Sequence, residues 1–98
     1  MSPGRMVDYL AANGISCTQF FPLIFEEQID GDDYDAIIVL YAYLIGAHYV
    51  AGIRNPNGDY TFYNQPNLTK PYSISGYFKY LAGKHRLALI AWGISFND

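Results

Sequence analysis

Two residues of this chain combine a type and a setting suited to acid–base chemistry. His48 stands near the head of AHYVAGIR and Asn64 near the end of YTFYNQP. A catalytic histidine takes a nucleophile's proton on one ring nitrogen while the other is held by an acceptor, and an asparagine carbonyl is one such acceptor. The tetrapeptide Asn55-Pro56-Asn57-Gly58 lies between them and is the clearest turn signal in the chain. It makes the two segments a hairpin, in which paired residue numbers sum to a constant. If Arg54 pairs with Gly58, His48 lies directly opposite Asn64. If Asn55 to Gly58 stays open as a loop, His48 faces Gln65 with Asn64 one place away. A two-residue Asn57-Gly58 turn moves the pair well out of register. The residues leave that choice open, and with it the plainer option of a strand histidine satisfied by a neighbour.

Other candidates for chemistry are weaker. Cys17 is the sole cysteine, and a reactive thiolate needs a helix N-terminus or cationic neighbours. Its place after Gly14, inside an expected strand, suits a small buried residue better. Asp59, a rival partner for His48, sits at the turn and is expected to face water. His85, in GKHR, suits a solvated helix end, where positive charge complements the helix dipole. No cysteine pair or HExxH spacing supports a metal shared by the two histidines. The acidic run DGDDYD fails as a calcium loop. Counting from Asp30, the fifth, sixth and twelfth positions are Tyr34, Asp35 and Tyr41, where an oxygen ligand, glycine and glutamate are needed. A solvated turn is expected there. Glycine-rich phosphate loops are absent, and no cofactor is implied.

The elements that must position these residues follow from pattern. Ninety-eight residues, half of them hydrophobic, make a single domain over 1–98 with enough apolar surface for a core. Ser2 and Pro3 open a helix whose stripe is Met6, Val7, Leu10 and Ala11, and Gly14 stops it. Ile15 to Phe21 reads as a strand. Pro22 opens a second helix reaching Gln28 or Ile29. Ala36 to Leu44 and Leu87 to Ile94 are unbroken apolar runs, expected in the middle of a sheet covered on both faces. His48 to Arg54 and Tyr60 to Asn64 form the hairpin. A last helix, capped by Ser73 or Ser75, carries Ile74, Tyr77, Phe78 and Leu81 on one stripe and closes at Gly83. The fold class is α+β, with a mainly antiparallel sheet and flanking helices.

Composition narrows the partners. A net charge of -3 argues against nucleic acid. Six of nine acidic residues lie between Glu26 and Asp35, and four of six basic ones between Lys70 and Arg86. Two solvated faces that attract one another would explain this, but loop decoration is the simpler account, since exposed pairs contribute little. One cysteine makes no internal disulfide, and the N-terminus lacks a signal-peptide pattern. The apolar stretch from Ala36 to Ile53 holds Gly46, His48 and Gly52 and breaks at a turn around Gly46, so two strands explain it better than a membrane helix. A cytoplasmic location without membrane insertion is expected. Tyr60, Tyr63, Tyr72, Tyr77 and Tyr80 suit either a peptide or protein contact or ordinary packing.

AHYVAGI, a hairpin turn and then YTFYNQP together resemble the active-site hairpin of papain-like cysteine peptidases. The likeness is greatest to the peptidase domains of bacteriocin exporters, which cut leader peptides after paired glycines. MVDYLAANGIS, the final helix and the Leu87 to Ile94 strand also resemble segments of that family, and Pro66 falls one residue late because Gln65 intervenes. The resemblance implies that His48 takes the general-base position and Asn64 the orienting position. It also implies the sheet half of a papain-like fold. In the family the nucleophilic cysteine opens a helix in an N-terminal half, preceded by an oxyanion-stabilising glutamine. This chain matches neither feature, since Gln19 follows Cys17.

Three accounts stay open. The chain is a fragment or truncation of a longer peptidase, with Met1 an internal start. Or it is a non-catalytic relative that keeps the sheet to bind a peptide or protein, open to forming a homodimer through a strand edge left by the missing half. Or Cys17 is reached in an unexpected fold. The resemblance implies peptide or amide hydrolysis through a thioester, with this chain expected to be inactive alone.

Overall fold

The structure, a computed structural model, describes residues 3–22, 34–64, 67, 68 and 70–96. The two apolar runs become β2 (Ala36–Tyr43) and β6 (Leu87–Phe96), paired with each other inside one sheet. The remaining strands are β1 (Ile15–Phe20), β3 (Gly46–Arg54), β4 (Tyr60–Asn64) and the two-residue β5 (Asn67–Leu68). Their order across the sheet is β1-β6-β2-β3-β4-β5, and every pairing is antiparallel. With α1 (Pro3–Ala12) and α2 (Ile74–Gly83), this is an α+β fold. Among the described residues, no helix is long and apolar enough to cross a membrane.

Local chemistry sets the element ends. Asn13 and Gly14 donate to the carbonyls of Leu10 and Ala11, and Gly14 takes φ 75°, so α1 stops where glycine tolerates the left-handed turn. Ser73 is the cap of α2, its hydroxyl accepting from Gly76 N at 3.1 Å. At the other end of α2, His85 adopts φ 57° and donates to Ala82 O. The turn between β2 and β3 is Leu44-Ile45, with Gly46 already in β3 and paired to Tyr43. The expected second helix, from Pro22 to Gln28 or Ile29, lies beyond Pro22 outside the described residues.

Strand alternation divides the sheet into two faces. On one, α2 lays Ile74, Tyr77, Phe78 and Leu81 against Ile37, Val39 and Tyr41 of β2, Val50 of β3, and Tyr60 and Phe62 of β4. Ala88 and Ala91 of β6 both reach this face because a bulge beside Leu40/Tyr41 leaves Leu89 unpaired with β2. Phe62 is completely buried and stacks on Tyr77, with centroids 3.7 Å apart and planes 3° from parallel. Its ring lies over Gly52, where an added Cβ would come within 2.6 Å of Phe62 Cε1. The aromatic pair therefore needs a residue without a side chain beneath it.

The other face is less evenly covered. Ala36, Trp92 and Ile94 are buried there, whereas Tyr49, Ile53 and Tyr63 are nearly half exposed. The central strands are thus apolar on both faces as expected, but the apolar cover thins toward β3 and β4. Two polar links tie strand ends together. Tyr60 Oη donates to Tyr34 O at 2.8 Å and accepts from Tyr34 N at 3.1 Å. Asp35 Oδ2 accepts from Phe96 N at 2.7 Å, closing the start of β2 onto the end of β6.

Candidate functional site

His48 is the third residue of β3 and lies across the ladder from Tyr41 of β2. The imidazole is exposed and meets the buried Tyr41 ring edge-on, with centroids 5.5 Å apart. The Arg86 guanidinium lies over the same Tyr41 ring at 5.5 Å. One buried phenol thus positions two nitrogenous side chains at the same end of the sheet. Arg86 arrives there from the residue before β6, with its backbone N–H tied to Leu81 O.

The β3–β4 hairpin closes differently from each of the three turns considered above. Arg54 pairs with Tyr60, and Ala51 with Tyr63. Asn55 N donates to Asp59 O at 2.7 Å, and Gly58 N donates back to Asn55 O at 2.9 Å. That leaves Pro56, Asn57 and Gly58 as the loop, with Gly58 at φ 96°, a three-residue turn ending in a left-handed glycine. Asn57 Oδ1 accepts from Asp59 N and fixes the loop from within. The register puts Asn64 level with Val50 rather than with His48. The two site positions lie on adjacent strands but stand two residues out of step. Asn64 itself pairs with Asn67 of β5.

Cys17 pairs with Ile94, which pairs with Ala36, on the face opposite α2. Strands β6 and β2 separate it from β3, three spacings or about 14 Å across the sheet. Cys17 and His48 are therefore on opposite faces as well as on distant strands. Burial pushes the Cys17 thiol above its ordinary range, toward the protonated form. Cys17 lines an open depression with Val7, Ala11 and Ile15. Cys17 is thus only partly buried, where a small buried residue was expected, because β1 is an edge strand.

The other candidates are placed as follows. Asp59 accepts from Asn57 Nδ2 within the loop, at the far end of β3 from His48. His85 is exposed at the end of α2. Among the described residues no group of three or more His, Cys, Asp or Glu could hold a metal ion. Most of the DGDDYD run lies outside those residues. The tyrosines divide between the two roles weighed for them. Tyr60 and Tyr77 are core residues, and burial drives the Tyr77 phenol well above its ordinary range. Tyr72 and Tyr80 stack at 5.2 Å on the flank of α2, with Lys70 over the first ring and Lys84 over the second. Tyr63 is exposed on the opposite face.

No protein family, curated protein or solved structure matches the chain.

Proposed function

We propose that the chain is a papain-like cysteine peptidase-related domain that keeps the histidine hairpin and does not cleave peptides on its own. One observation supports inactivity of the chain on its own: His48 is exposed on one face of the sheet while Cys17 lies on the other, three strand spacings away. In this reading His48 holds the base position and Asn64 the orienting position, and a thiol outside this chain completes the site. Its sulfur would attack the substrate carbonyl as His48 took the thiol proton. His48 would return that proton to the leaving amine, and water would then hydrolyse the thioester. The lone cysteine, which makes no internal disulfide, fits a cytoplasmic setting.

Alkylation of Cys17 by iodoacetamide tests this. At neutral pH, labelling is expected to be slow and unchanged by His48→Ala. It should rise about tenfold per pH unit as the raised thiol pKa is approached from below. Rapid neutral labelling that His48→Ala abolishes would instead make the chain a self-contained enzyme.

The exposed Tyr49, Ile53 and Tyr63 favour a second reading, a non-catalytic binding or regulatory module for a peptide or protein. Neither reading requires a cofactor.

A further inference from the structure

The two edges of the sheet are built differently. β5 is two residues long, and Lys70 and Pro71 follow it closely, features that discourage the addition of another strand. β1 has six residues, Ile-Ser-Cys-Thr-Gln-Phe, without a charge or a proline. Its pairing with β6 runs from Ile15↔Phe96 to Phe20↔Ala91 with no bulge to twist the edge away. Ser16, Thr18 and Gln19 are exposed. Among the described residues β1 pairs with β6 alone, so half of its backbone donors and acceptors point away from the sheet.

We propose that a second copy of this chain pairs antiparallel along the outer edge of β1, joining two sheets into one continuous sheet. The strand suits its own copy. A two-fold axis perpendicular to the sheet pairs residues of equal parity, with either Cys17 or Thr18 opposite its symmetry mate. Ser16, Thr18 and Phe20 then stay on the α2 side in both copies, and Ile15, Cys17 and Gln19 stay on the other. No like charges oppose each other in either register. The contact is isologous, so it closes at two copies and leaves both β5 edges outside. This pairing requires nothing of the peptidase chemistry.

Sedimentation equilibrium on the whole chain over a concentration series tests it. A concentration-dependent dimer is expected, and Thr18→Lys should raise its dissociation constant roughly tenfold or more by placing a charge at the axis or next to it. Far-UV circular dichroism of that variant should match the natural sequence. Should Thr18→Lys fail to fold, a short bismaleimide provides the second measurement. It should link two natural-sequence chains through Cys17, which lies opposite or diagonal to its mate in both registers. A chain that stays monomeric throughout overturns the proposal. So does a dimer that resists Thr18→Lys and is not linked through Cys17. A dimer broken by Ile53→Lys instead moves the contact to the exposed face of β3 and likewise overturns it.

Discussion

A chain carrying Phe62→Ala is expected to unfold at a far lower urea concentration than the natural sequence, having lost about 3–5 kcal/mol. Phe62 is fully buried, is stacked on Tyr77 and lies over Gly52. Its removal deletes a large apolar surface and one half of an aromatic pair. The surroundings collapse poorly into such a space, because Gly52 below has no side chain to extend and Tyr77 is held on α2. Domains of this size are stable by about 5–15 kcal/mol, so the variant retains a small margin. Tyr63, the next residue of β4, is 47% exposed, and Tyr63→Ala is expected to cost under about 1 kcal/mol. If the two substitutions proved equal in cost, the core would not lie between β4 and α2.

Tyr60→Phe isolates a different force. The ring stays, and only the hydroxyl that joins Tyr34 N and Tyr34 O is removed. Both groups are buried, and each loses this partner where water does not readily replace it. The expected loss is about 1–3 kcal/mol, with an unchanged denaturant m-value because the area buried is the same. Tyr34 also fills the space above Gly93, where a Cβ would come within 2.5 Å of its ring, and packs edge-on against Phe20. Freed of the hydroxyl, the start of β2 should exchange its amide hydrogens faster than β3 does. A stability change below about 0.5 kcal/mol would mean that the hydroxyl bridge contributes little net energy.

Much of the fold was legible in the chain because its signals are local. The apolar runs that became β2 and β6 have no polar residue to place toward water, and so they lie inside the sheet. Ser73 precedes a helical stripe and caps it, and Gly14 ends α1 at the backbone angle that glycine favours. The site was legible only in part. Asn-Pro-Asn-Gly located the hairpin but did not set its register, which depends on the Asn55 and Asp59 backbone closing around a left-handed Gly58. Several loops fit that tetrapeptide, and each moves Asn64 by one or two places against His48. Arg86 looks like charge decoration in the sequence because its link to Tyr41 exists only once β6 lies beside β2. A strand order is a long-range fact with no mark at residue 86. The tyrosines were ambiguous for a related reason, since Tyr60 and Tyr63 differ only in which side of β4 they occupy.

Trp92 makes the chain its own optical gauge. It is the sole tryptophan, 1% exposed, with the Tyr49 ring 6.3 Å away and ten tyrosines in the sequence. Light absorbed by the phenols should pass to the indole, whose emission in so dry a setting should fall at short wavelength. Unfolding should shift that emission to the red and restore tyrosine emission as the rings separate. Each substitution above can therefore be scored on the unlabelled chain, and Tyr49→Ala should weaken the transfer while leaving the emission colour largely unchanged.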